Sequence, residues 1–246
     1  MFPIRDTIPS RNPPIATAVI IAANCLVFVF ELMCSPEQLE RVVYIFGVVP
    51  RYYTDADWAA SLTHPVGKYW PLLTSMFLHG GWMHIIGNMW TLWIFGDNVE
   101  DRMGSVRFVL FYLLCGLIAA VVHILTNADS PVPTLGASGA IAGVMGAYMV
   151  MFPHSRVITL VPVFFWPLFF ELPAFLYLGI WYLTQLYSGM FTIGAGGQVG
   201  GVAWWAHVGG FVAGLLLVRL FVPRRGVRRF EADEWGVEGA WGPQWP

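Results

Sequence analysis

Charge is what this chain has least of. Only 11% of its 246 residues are charged, against about a quarter in soluble domains, and 57% are hydrophobic. A water-soluble globule needs a charged surface, so the deficit argues against that class and for an integral membrane protein. The net charge is −2 and there is no basic stripe, which gives no support for nucleic acid as a partner. Cys25, Cys34 and Cys115 are too few and too scattered for a disulfide framework or a thiolate metal site. There is no His-Glu-x-x-His of a helical zinc protease and no Gly-x-Gly-Asp for an intramembrane aspartyl site. Internal repeats and low-complexity linkers are missing too, which favours one membrane domain. No cofactor or metal is expected.

What the chain does have is long apolar runs. A helix needs roughly 17 to 25 apolar residues to cross the hydrocarbon of a bilayer. The sequence offers six candidates, placed near Ile15–Met33, Trp82–Gly96, Phe108–Leu125, Gly136–Phe152, Leu172–Ser188 and Gly201–Val222. Basic residues gather on the cytoplasmic side of a membrane protein. With both termini cytoplasmic, ten basic residues lie on that side: Arg5, Arg11, Arg102, Arg107, Arg156, Arg219, Arg224, Arg225, Arg228 and Arg229. Only Arg41, Arg51 and Lys68 lie opposite. This orientation turns the head of the fourth run, and the start of the sixth, toward the outer face. The expected organisation is a cytoplasmic tail over 1–14, a membrane domain over 15–222 and a second cytoplasmic tail over 223–246. Ile15–Met33 is too long for a signal-peptide core and no small-residue cleavage site follows it, so it is expected to be retained.

The segment from Cys34 to Gly81 is too long for a bare connection. Ser35-Pro36-Glu37 reads as a helix start, and Leu39, Val42, Val43 and Phe46 recur at helical spacing, which predicts a helix half-sunk in the outer leaflet. Pro162 and Pro167 interrupt Val157–Phe170, so that stretch reads as a membrane-hugging connector, with Glu171-Leu172-Pro173 opening the fifth span. The loop Phe191–Gly200 is uncharged and holds four glycines, which suits either an ordinary turn or a lid.

Two polar residues stand out within the apolar runs. Ser138 lies in Gly136-Ala137-Ser138-Gly139, and His207 in Ala206-His207-Val208-Gly209-Gly210. A polar side chain in hydrocarbon is costly unless it meets a partner or lines a wet cavity. A serine hydroxyl is a weak nucleophile and needs an adjacent base, for which His207 is the candidate. An acyl-transfer site also needs donors for its oxyanion, and His84 and Asn88, four residues apart on one helical face, can supply them. Each piece has a plainer reading. Gly-x-Ser-Gly can be small-residue packing, a lone histidine can be a proton relay, a metal ligand or an interhelical hydrogen bond, and His84 with Asn88 can simply join helices. Gly139-x-x-x-Gly143 and Gly210-x-x-x-Gly214 permit close backbone approach, and His207, Gly210 and Gly214 share a face.

From about residue 69 to residue 222 the chain resembles the rhomboid family of intramembrane serine proteases. The resemblance rests on Phe77-Leu78-His79-Gly80-Gly81-Trp82-x-His84-x-x-Gly87-Asn88, Glu100-x-Arg102, Gly136-Ala137-Ser138-Gly139-Ala140, and Ala206-His207-x-Gly209-Gly210 followed by Gly214. It implies an all-α integral membrane protein, a six-transmembrane-helix rhomboid-like bundle with a long, partly helical first loop. Ser138 would be the nucleophile and His207 the general base, with no acidic third member. His84, Asn88 and the Ser138 backbone N–H would form the oxyanion hole. Glu100 and Arg102 would be structural, tying the second span to the first loop or a neighbouring helix, and Gly136, Gly139, Gly210 and Gly214 would serve packing. The implied partners are transmembrane protein substrates and membrane lipid, and the six-span layout fits a bacterial plasma membrane. The other readings are a non-catalytic rhomboid-like client binder and a small transporter. One departure stands out: an aromatic often follows the serine by one helical turn, and Ala142 occupies that place. His207 must then be held by another group, with Trp204, Trp205 and Tyr148 as candidates. His79 is expected to hold the loop at the mouth of its span. His64, His123 and His154 are expected in loops or at span ends, without catalytic roles.

Overall fold

The computed structural model describes residues 2–61, 67–163, 166–194 and 202–223. Six helices of 14 residues or more dominate it: α1 (Ile15–Met33), α6 (Trp82–Met103), α7 (Ser105–Thr126), α8 (Ser138–Met151), α9 (Ala174–Gly194) and α10 (Trp204–Phe221). By length and composition, α1, α7 and α10 are apolar enough to cross a membrane, and α8 is a shorter apolar helix. Leu26, Met33, Val106, Leu125, Leu216 and Leu220 are each more than 70% exposed, an apolar exterior that water would not tolerate.

Between α1 and α6 lie short helices α2 (Pro36–Phe46), α3 (Arg51–Thr54), α4 (Ala56–Ala60) and α5 (Pro71–Thr74), then a 3₁₀ turn over Ser75–Phe77. Ser35 and Gln38 cap α2 reciprocally, each side chain accepting from the other's backbone N–H at 3.3 and 2.9 Å. No residue of α2 is fully buried, as suits a helix lying on a surface.

The connector after α8 is a β-hairpin that takes in Glu171-Leu172-Pro173, so the fifth long helix opens at Ala174 and not at those residues. Arg156–Val163 forms β2 and Trp166–Pro173 forms β3, an antiparallel hairpin to which the N-terminal β1 (Phe2–Asp6) adds in the order β1-β2-β3. The prolines that exclude a helix here are tolerated in the hairpin, where Pro162 and Pro167 face each other. β1 runs beside α6: the Trp90 indole N–H donates to the Pro3 carbonyl at 2.6 Å, and Asn98 Nδ2 donates to Asp6 at 2.9 Å. The Tyr148 hydroxyl also donates to Asp6, at 2.5 Å. Burial pushes the Asp6 carboxyl up to about 7, with the nearby Asp97 adding to the rise and the Tyr148 hydrogen bond opposing it.

The core lies mostly at the end of the bundle away from Ser138. Phe95 and Tyr148 meet edge-to-face at 5.0 Å, Tyr148 and Phe152 lie 5.1 Å apart, and the Arg102 guanidinium sits 5.1 Å above Phe152. Aromatic pairs of this kind contribute about 0.5–1.5 kcal/mol beyond their buried area. Glu100 is buried and joins three elements. Its carboxylate accepts the Ala16 and Thr17 N–H groups at 2.8 Å each and the Ser105 hydroxyl at 2.5 Å. Pro14, the residue before α1, makes no side-chain cap, so Glu100 satisfies orphan donors at the start of α1 from across the bundle.

Candidate active site

Helices α8 and α10 are packed backbone to backbone. A Cβ built on Gly210 would overlap the Gly139 carbonyl oxygen and stand 2.9 Å from its carbon; one on Gly214 would stand 2.7 Å from the Gly143 carbonyl carbon. Only hydrogen fits at these positions, and the seam draws together the two helix starts. Ser138 is the first residue of α8 and His207 the fourth of α10. His207 therefore lies roughly 4.5 Å along its helix, rather than the 9 Å implied by a span starting at Gly201. Ser138 Oγ stands 2.8 Å from His207 Nε2.

His84 and Asn88 reach the same place from α6. Gly136 has φ +123°, and a Cβ there would stand 2.7 Å from His84 Nε2 and in ordinary contact, 3.7 Å, with Asn88 Nδ2, so a glycine is needed for the backbone conformation and to make room for His84. Asn88 Nδ2 is buried without a hydrogen-bond partner, an idle donor near Gly136. The Gly80 N–H donates to His84 Nδ1 at 3.2 Å, which leaves the ring proton on Nε2, the nitrogen that faces Gly136. The first turn of α8 adds backbone N–H groups that lack intrahelical acceptors. Donors on α6 thus face Gly136, two residues before Ser138 at the α8 start.

His79 does not share a helix with His84, because α6 starts at Trp82. Its N–H donates to both oxygens of the buried Glu31 of α1, at 3.2 Å each, and its ring lies 5.0 Å from that of His84. His123 lies in the last turn of α7, its Nε2 2.7 Å from Thr134 Oγ1, and it lines a recess that includes Ser138, Met76, Gly116, Ala119 and Ala206. His154 packs near Phe175, while His64 and most of the loop Phe191–Gly200 lie outside the described residues.

The support for His207 is only in part the one the sequence suggests. Tyr148 is engaged with Asp6, and Trp205 has a buried indole N–H without a partner. Trp204 does meet the imidazole, edge-on at 6.2 Å. The principal contacts come from α9, where Trp181 lies over the ring at 5.9 Å and Gln185 Oε1 stands 2.8 Å from Nδ1. Both escaped the sequence reading. Their signal was a lone amide in an apolar helix, one turn after a tryptophan.

Known proteins bear on this arrangement. The family model of the rhomboid domain matches residues 66–224, well over half of the chain, so the chain belongs to the rhomboid family. More particularly, it is 40% identical over 90 residues to rhomboid protease GluP of Bacillus subtilis (strain 168), covering 37% of this chain and 17% of that protein. It is 35% identical over 150 residues to the mitochondrial presenilin-associated rhomboid-like protein of Rattus norvegicus, covering 59% of this chain and 35% of the relative. Against the mitochondrial RHOMBOID-like protein 6 of Arabidopsis thaliana the identity is 31% over 166 residues, covering 65% of this chain and 47% of the relative. The matched region is less than half the length of each of these relatives. Bacterial and mitochondrial names both occur among them, so the similarity supports a membrane setting without selecting the bacterial plasma membrane.

Proposed function

We propose that this protein is an intramembrane serine endopeptidase that hydrolyses peptide bonds in or near transmembrane segments of other membrane proteins. The observation that carries the reading is the 2.8 Å contact of Ser138 Oγ with His207 Nε2; the unpartnered Asn88 Nδ2 lies near Gly136, two residues before the serine. In this reading His207 takes the hydroxyl proton as Oγ attacks the scissile carbonyl. Charge developing on the carbonyl oxygen is met by His84 Nε2–H, Asn88 Nδ2–H and the Ser138 N–H. The protonated His207 then gives its proton to the departing amine, leaving an acyl-enzyme. Water, activated by the same base, attacks the acyl carbonyl and restores Ser138.

Six spans with both termini on the arginine-rich side would set this site in the outer half of the membrane, open to water from above. The recess of small residues beside Ser138 suits a small substrate side chain at the cut. A helical substrate hides its scissile carbonyl in its own hydrogen bonds, so Gly or Pro near the cut favours cleavage. A fluorophosphonate probe tests the reading, because it phosphonylates only an activated serine. Labelling of Ser138 that disappears in His207→Ala is expected; labelling at an undiminished rate without His207 would overturn the reading.

A further inference from the structure

Gln185 stands on α9, and its side chain is buried, 7% exposed. Its surroundings determine which way the amide faces. Nε2 lies 3.2 Å from the Trp181 carbonyl oxygen and 3.1 Å from Thr184 Oγ1. The carbonyl can only accept, and the Thr184 hydroxyl gives its own proton to that carbonyl at 2.6 Å, so both neighbours require an N–H from Gln185. The opposite end of the amide, an acceptor only, therefore faces His207 Nδ1 at 2.8 Å. Nδ1 must carry the ring proton, since the other tautomer would set two lone pairs against each other. Nε2 is then the bare nitrogen, 2.8 Å from Ser138 Oγ. Trp181, one turn before Gln185, lies over the ring at 5.9 Å with 34° between planes and restrains its tilt.

We propose that Gln185 is the positioning residue of the base: it holds His207 in the Nδ1–H tautomer and stabilises the imidazolium that forms when Ser138 gives up its proton. This rests on the peptidase reading of Ser138 and His207. Gln185 fills the place of an acidic third member with a neutral acceptor. An ionised carboxylate at this point would have to be stripped of water within the bilayer, whereas an amide oxygen supplies the hydrogen bond without that cost.

Two measurements on the full chain test the proposal. Gln185→Leu keeps the bulk and removes the acceptor. It is expected to lower kcat about 10- to 100-fold with little change in KM, the loss of one hydrogen bond to a charged ring in the transition state. Gln185→Glu in its neutral form restores an acceptor toward Nδ1 and an O–H donor toward the Trp181 carbonyl, and is expected to recover most of that activity. A Gln185→Leu enzyme as active as the wild type overturns the proposal. The second measurement needs no Gln185 variant. In protein labelled with ¹⁵N-histidine, with the His207 signals identified by their absence in His207→Ala, the proposal requires a protonated Nδ1 and a bare Nε2. A protonated Nε2 in the neutral ring overturns it. Because the spectrum does not depend on turnover, a wild type that cleaves nothing would defeat the peptidase reading while the tautomer still decided the role of Gln185.

Discussion

Replacing Gly210 by Ala would drive a methyl group into the Gly139 carbonyl. The added Cβ would overlap the oxygen and stand 2.9 Å from the carbonyl carbon, where carbon atoms normally keep about 3.5–4.0 Å. Neither obstacle is the end of a flexible side chain, so α8 and α10 must separate by about 1 Å. Ser138 precedes Gly139, and His207 is one turn before Gly210, so the separation falls on their 2.8 Å hydrogen bond and carries it beyond useful range. A displacement of about 1 Å in a reacting pair costs on the order of 100-fold in rate. Overpacking costs a further 1–3 kcal/mol or so of stability, so cleavage of a transmembrane reporter is to be measured well below the variant's melting temperature. Gly179→Ala on α9 is the control, because nothing lies within 4 Å of its added Cβ. The control should stay within about two-fold of wild type. A folded Gly210→Ala enzyme that also stayed within two-fold or so would refute the idea that the glycine seam sets the dyad distance.

Asn88→Ala removes a buried donor that meets no other partner, and should lower kcat by about 100- to 1000-fold with the protein still folded; unchanged kcat would remove Asn88 from the proposed oxyanion hole. Glu100→Ala strips two backbone N–H groups at the α1 start of their acceptor, and should cost about 2–4 kcal/mol, read as a fall in Tm with the probe still labelling Ser138 below that temperature. Asp6 gives a pH signature. Its folded carboxyl titrates at about 7, above the ordinary 3.8, so the folded chain holds a proton that the unfolded chain releases. The associated stability is fully present below pH 3.8 and is lost as pH rises through about 7, at most on the order of 4 kcal/mol. Asp6→Asn should flatten the fall in Tm across that window; an unchanged slope would assign it to another group.

The helices were legible because their apolar runs exceed what a strand needs, and the seam was legible because its glycines repeat every four residues. Ser138, His207, His84 and Asn88 stood out as polar residues in apolar runs. The sheet was hidden because β2 and β3 are apolar on both faces and show no clean alternation, and because β1 is only five residues long and pairs with a strand about 150 positions away. Gln185 and Glu31 are also polar residues in apolar helices, but they belong to no short motif. Their meaning comes from which neighbour they meet: His207 in one case, and the His79 backbone in the other. Ala142 offers the histidine no aromatic one turn after Ser138. The ring meets Trp204 of its own helix and, from outside the motifs around Ser138 and His207, Trp181 and Gln185 of α9.

The most direct test is peptide-bond cleavage by the full chain in liposomes, with a transmembrane reporter that carries helix-weakening Gly or Pro beside a small residue. Wild-type protein should cut the reporter near the outer end of its membrane segment. Ser138→Ala, folded and reconstituted at the same density, should leave it intact. Undiminished cleavage by pure Ser138→Ala protein would contradict the account.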